Sequence, residues 1–225
     1  KVAAKMLSIN EQNISFKENF VFVDDKKSSV SWDALITQAM LERIALSENA
    51  HYATPIIHFD KSKEKGHPFA YHVYGTAITT VTVDCLRGIY EIDSVKIVHD
   101  FGKSMNIGID IGQVEGALAQ GIGWMTMEEI SYNSDGKLLS NALSTYKVPD
   151  IFSAPKTIKT IALETDGNEL AIKKSKAVGE PPLMYGIGTY FAIQHAVKEF
   201  NPNYKLKFHA PFTPEKVLMA LYESE

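Results

Sequence analysis

Cysteine is almost missing from this chain of 225 residues, where Cys85 stands alone. One thiol closes no internal disulfide and by itself holds neither an iron–sulfur cluster nor a zinc–thiolate site, and such scarcity suits a reducing, cytoplasmic setting. Arginine is nearly as scarce, with Arg43 and Arg87 the only two among 23 basic residues. Bidentate clamps on phosphate or carboxylate usually use arginine, and nucleic-acid binding needs a clustered basic face, so neither is expected at a net charge of −4. No apolar run approaches the ~20 residues of a membrane span. The amino terminus lacks the charged-then-apolar pattern of a signal peptide and opens on Lys1-Val2-Ala3-Ala4-Lys5-Met6-Leu7, as if the chain entered within a helix, which reads as a fragment. His51, His58, His67 and His72 lack the His-x3-His spacing that puts two ligands on one helix face, so no metal held by these side chains is expected.

What is present is a 45% hydrophobic composition, enough to bury a core in one domain or two small ones. Residues 1–7 read as a short helix and 14–23 as a strand or hairpin arm, followed by a charged turn at 24–29. Ser31 is a good N-cap for an amphipathic helix carrying Trp32, Leu35, Ile36, Ala39, Met40 and Ile44 and running to about Ser47. Residues 51–70 read as irregular. From Tyr71 the period becomes two, through Val81 and Val83, around Leu86-Arg87-Gly88 and back through Ile92, Val95 and Ile97, which predicts a β-hairpin. A turn-rich loop at 100–106 leads to a helix over 110–123. A strand is predicted at 130–132, a second strand or extended arm through Leu138, Tyr146 and Val148, and another strand over Ile158, Ile161 and Leu163. The chain closes on Thr213-Pro214, an N-cap with proline at the first helical position. The fold expected is α+β, with antiparallel hairpins or mixed sheets packed against three or four helices, as one domain over 1–225 with sub-lobes at about 1–110 and 111–225.

Two stretches stand out. Gly112, Gly116, Ala119 and Gly123 give the 110–123 helix one smooth face, against which either a neighbouring backbone or a flat ligand can lie. The other is Lys174-Ser175-Lys176-Ala177-Val178-Gly179-Glu180-Pro181-Pro182, opening a buried helix from Pro182 to Val197. Proline disfavours helical geometry in the residue before it, so Glu180 is expected to leave a turn in extended form. Its carboxylate then either faces the space between elements, where burial would raise its pKa and make it a usable base, or lies on a plain surface turn.

Together, Gly112-Gln113-Val114-Glu115-Gly116-Ala117, Ser144-Thr145-Tyr146-Lys147-Val148-Pro149 and Ser175-Lys176-Ala177-Val178-Gly179-Glu180-Pro181-Pro182 resemble the C-terminal part of the molybdenum-binding subunit of the molybdenum hydroxylases, a family that includes xanthine dehydrogenases and aldehyde oxidases. The resemblance extends through Asp100-Phe101-Gly102 and Pro211-Phe212-Thr213-Pro214-Glu215-Lys216. It implies hydroxylation of an electron-poor carbon at molybdenum held by molybdopterin, with water as the oxygen source and Glu180 as general base. It also implies that Gln113, Gly112, Gly116 and Gly179 lie near the pterin. The Gly-Glu-Pro-Pro form resembles the purine-oxidising branch, with hypoxanthine or xanthine as substrate; aldehydes, other heterocycles or a non-catalytic scaffold role are the alternatives. The resemblance further implies that the rest of the molybdenum subunit and the 2Fe-2S and FAD domains or subunits lie outside this stretch. The isolated chain is then expected to be inactive and free of cofactor.

Overall fold

In the computed structural model, which describes residues 1–223, the chain divides into two units, Lys1–Ala53 and Thr54–Glu225. The first unit opens with helix α1 (Val2–Leu7), continues through an antiparallel sheet of β1 (Ile14–Lys17), β2 (Phe20–Val23) and β3 (Lys26–Ser31), and ends with helix α2 (Trp32–Leu41). Val2, Ala3, Val21, Val30, Leu35 and Ala39 form its core. Ser31 caps α2 by accepting a hydrogen bond from the Ala34 N–H at 3.2 Å. The helix stops six residues before Ser47: Arg43 adopts φ 57°, which a right-handed helix cannot contain. The expected turn at 24–29 shrinks to Asp24 and Asp25, both at positive φ, and Lys26–Ser31 becomes the third strand.

In the second unit the predicted hairpin is β6 (Gly75–Asp84) with β7 (Ile89–His99), preceded by a small hairpin of β4 (His58–Asp60) and β5 (Lys65–His67) inside the stretch read as irregular. β8 (Ile158–Ala162) adds to β7 in parallel. A parallel neighbour requires a long crossover, and helix α3 (Ile107–Thr126) lies within it. The strand predicted at 130–132 reduces to one isolated bridge between Tyr132 and Leu138, having no sheet to join, and of the two readings for Leu138 to Val148 the strand does not form. The predicted helix from Pro182 is two pieces, a 3-10 helix over Pro181–Gly186 and α4 (Ile187–Phe200). Helix α5 (Pro214–Leu221), capped by Thr213, follows, which makes five α-helices among the described residues where three or four were expected.

A boundary near residue 110 does not hold, because the chain on both sides of it shares one core. Ile92, Val95 and Ile97 of β7 and Phe101 pack with Val114, Leu118 and Ile122 of α3. On α3 the buried residues Val114, Ala117, Leu118, Gly121, Ile122 and Met125 recur at three- and four-residue steps, the stripe by which a helix docks on a sheet. A second cluster joins Tyr190, Ile193 and Val197 of α4 to Phe212, Val217 and Leu221.

Candidate active site

Segment 174–176 runs alongside 101–103 and is fastened to it by backbone hydrogen bonds. Lys176 N–H donates to Phe101 O at 2.9 Å and Lys103 N–H to Lys174 O at 2.9 Å, around a bridge between Gly102 and Ser175. Gly102 sits at φ 61°, and a Cβ there would lie 2.4 Å from Lys174 O, so only glycine permits this approach. Beneath the segment, Lys176 Nζ meets Asp100 Oδ2 at 2.6 Å, with the Asp100 side chain 0% exposed. The Gly102 N–H and the Thr165 hydroxyl donate to Asp100 Oδ1 at 2.9 and 2.8 Å. Burial alone would raise this carboxyl; the Lys176 ammonium and these two donors outweigh it and hold Asp100 below the ordinary carboxylate value.

Glu180 follows at the apex of the bend. Its backbone is φ −95°, ψ −46°, helical where the following proline disfavours that geometry. The reason lies downstream: Pro181 and Pro182 carry no N–H, so Leu183 is the first donor available, and its 3.1 Å bond to Glu180 O winds the 3-10 helix back onto Glu180. The side chain is exposed, and among the described residues it makes no hydrogen bond or ion pair. The burial expected of this carboxylate is therefore not supplied by this chain.

The bend meets α3 at Gln113. A Cβ on Gly179 would lie 3.3 Å from Gln113 Oε1, while Val178 packs into the core that contains Val114. Gly116, one turn along the helix from Gln113, and Gly112 beside it have nothing within 4 Å of a built Cβ, so this end of the helix faces open space. At the other end the small residues pack. A Cβ on Gly121 would lie 2.1 Å from Leu183 O, and one on Gly123 2.6 Å from Pro149. The smooth face read from the sequence is thus packed at Gly123 and open at Gly112 and Gly116. Gly112, Gln113, Gly116, Gly179 and Glu180 share one exposed surface region, where an amide with no hydrogen-bond partner among the described residues and an open helix face suit a flat, hydrogen-bonding ligand.

His99 and Tyr185 belong to none of the motifs that stand out in the sequence. His99 Nδ1 and Tyr185 Oη share a 2.6 Å hydrogen bond, and Gly75 lets them meet, since a Cβ there would lie 1.7 Å from the Tyr185 oxygen. Burial lowers the His99 pKa; the Ala177 backbone and the charges of Asp100 and Asp110 oppose it without cancelling it. His99 Nε2 has no partner within hydrogen-bond geometry among the described residues, so the Ala177 backbone acts on the ring without completing a bond. Burial raises the Tyr185 phenol. The available signal was period two: His99 continues the inward series Val95, Ile97.

A cavity of about 740 Å³ lies elsewhere, between α4, α5 and the loop carrying Tyr204 to Phe212. On its rim Lys216 pairs with Glu129 and Lys207 with Glu223. No group of three His, Cys, Asp or Glu side chains among the described residues is placed to hold a metal, and no helix there is long and apolar enough to cross a membrane.

The molybdopterin cofactor-binding domain family matches residues 1–155. The chain is 41% identical over 199 residues to a xanthine dehydrogenase/oxidase of Felis catus, covering 85% of this chain and 15% of that protein. It is 33% identical over 231 residues to xanthine dehydrogenase 1 of Arabidopsis thaliana, covering 98% of this chain and 17% of that protein. The chain thus spans about a sixth of the length of these curated relatives. Among solved structures, the aldehyde oxidoreductase of Desulfovibrio gigas superposes with TM-score 0.59 at 29% identity over 74% of this chain and 17% of its own. Quinoline 2-oxidoreductase from Pseudomonas putida 86 superposes with TM-score 0.62 over 100% of this chain and 28% of its own, at 20% identity, a likeness of fold.

Proposed function

The chain belongs to the molybdopterin cofactor-binding domain family of the molybdenum hydroxylases, and on that premise we propose that it carries the general base, Glu180, of a cytoplasmic purine hydroxylase. The observation that carries this reading is the junction of bend and helix: Gln113 Oε1 is 3.3 Å from the position of a Gly179 Cβ, one residue before an exposed carboxylate without an ion-pair partner among the described residues. A carboxylate left unpaired is free to take a proton, and one at a rigid apex is held ready to do so. When bound, molybdenum on a pterin dithiolene supplies Lewis-acid activation of water and a two-electron acceptor. Gln113 would hydrogen-bond the pterin through its neutral amide. Gly112 and Gly116 would let it lie against the helix, and Gly179 would keep the bend close. Glu180 would receive the proton released as water oxygen attacks the substrate carbon.

Support for a purine comes from the identity of 33–41% to proteins named xanthine dehydrogenase and from the Gly-Glu-Pro-Pro sequence. The 29% identity to an aldehyde oxidoreductase favours an aldehyde as the second reading. The rest of the molybdenum subunit, together with iron–sulfur and FAD domains or subunits, would complete the enzyme and cover the Glu180 surface. The isolated chain would be inactive. In the complete enzyme, Glu180→Gln should keep molybdenum content and lower turnover by about 10²- to 10⁴-fold, the usual worth of a positioned base. Unchanged turnover would remove Glu180 as the base, and a panel of xanthine, hypoxanthine and aldehydes would separate the two substrate classes.

A further inference from the structure

The Glu180 bend is exposed at its apex yet tied at both feet to two consecutive residues at one strand end. Before the apex, Lys176 Nζ holds Asp100 at 2.6 Å and also donates to His72 O at 3.1 Å. After it, Tyr185 Oη holds His99 at 2.6 Å. His99 and Asp100 are both 0% exposed. Consecutive residues at a strand end point to opposite sides, so the dipeptide can reach the two feet in different directions. The feet lie four residues before and five residues after Glu180, close enough that little slack remains between tether and apex.

We propose that His99 and Asp100 act jointly as positioning residues, fixing the Glu180 carboxylate against the Gln113 helix through Tyr185 and Lys176. The proposal rests on the reading of Glu180 as base, and adds that neighbours which do not touch the reacting atoms set its rate. Both tethers end on fully buried groups, His99 and Asp100, so they keep their strength where an exposed link would be lost to competing water. A base acts only from within hydrogen-bond reach of its proton, and a displacement of an ångström is costly.

The test uses the complete enzyme with Tyr185→Phe, which keeps the ring and removes only the bond to His99, and Lys176→Met, which removes the other tether. Steady-state kinetics are read with molybdenum content and with amide hydrogen exchange across residues 177–184. Each variant should lower kcat by roughly ten- to a hundredfold with KM within about twofold and molybdenum content unchanged. Exchange across 177–184 should accelerate while β6 and β7 keep their protection. Tyr185→Phe is the milder change and decides alone if Lys176→Met does not fold. Unaltered kcat in Tyr185→Phe overturns the proposal, and so does a fall in kcat without faster exchange. Glu180→Gln run alongside separates the two ideas: full turnover there refutes the base itself. Lost turnover there, with Tyr185→Phe unchanged in rate and exchange, refutes only the positioning.

Discussion

Gly121→Ala and Gly116→Ala make the same substitution on one helix and should change stability in opposite directions. At Gly121 the new methyl would lie 2.1 Å from Leu183 O and 3.2 Å from the Gly186 Cα, both backbone atoms. Reaching the 3.4 Å of ordinary contact requires the 181–186 turn to retreat by roughly 1.3 Å. Tyr185 belongs to that turn, and its 2.6 Å bond to His99 would then stretch beyond useful hydrogen-bonding distance. Alanine's better helix propensity returns about 1 kcal/mol, whereas overpacking costs about 1–3 kcal/mol and a broken buried hydrogen bond about 1–3 kcal/mol. The net loss is about 1–5 kcal/mol. At Gly116 nothing lies within 4 Å, so only the propensity gain of about 1 kcal/mol remains. Thermal unfolding followed by circular dichroism of the 225-residue chain should separate the two variants by several degrees, at about 2–4 °C per kcal/mol for a chain of this size. Equal melting temperatures, or the reverse order, would refute the close packing of α3 on the 3-10 helix. In the complete enzyme Gly116→Ala should instead lower molybdenum occupancy, if that open face is where the pterin lies.

Acid should destabilise the fold in two stages. His99 has a folded pKa below its ordinary 6.5, so its contribution is complete above that pH and is lost as pH falls from 6.5 toward the folded value. Asp100, also depressed, contributes above 3.8 and loses that contribution below it; urea midpoints measured from pH 8 to 3 should show both declines, and a flat profile through pH 6.5 would contradict the first. Lys176→Met strands a buried carboxylate and should cost about 3–5 kcal/mol. Adding Asp100→Leu should recover only part of this, because the Gly102 N–H and Thr165 hydroxyl then lose their acceptor, and denaturant titration of the double-mutant cycle would show it. Glu180→Gln, at an exposed position without an ion-pair partner among the described residues, should leave stability within about 0.5 kcal/mol by the same titration.

What the sequence revealed was local. The caps at Ser31 and Thr213 act on residues three positions away, and the period-two run that became β6 and β7 closes on itself through a short turn. β3 was hidden because Lys26-Lys27-Ser28-Ser29 has the composition of a turn; it is a strand because β2 offers it a free edge. The strand read at 130–132 failed for the opposite cause, apolar residues with no edge to join. At the site, the nearness of Gln113 to Gly179 followed from the family resemblance and not from spacing. The links from Asp100 to Lys176 and from His99 to Tyr185 span 76 and 86 residues, and no periodic pattern encodes contacts so distant.

The register of β7 against its two partners has a consequence for how this chain can change in length. One residue inserted between Ile97 and His99 would rotate every following side chain to the opposite side of the strand, presenting the imidazole on the carboxylate's side and the carboxylate on the imidazole's side. Deletion would do the same, and no single compensating substitution would repair both. The exposed loop from Lys61 to Glu64 joins a two-stranded hairpin and can lengthen without such an exchange. Insertions and deletions should therefore accumulate there and be absent from the few residues leading into Asp100.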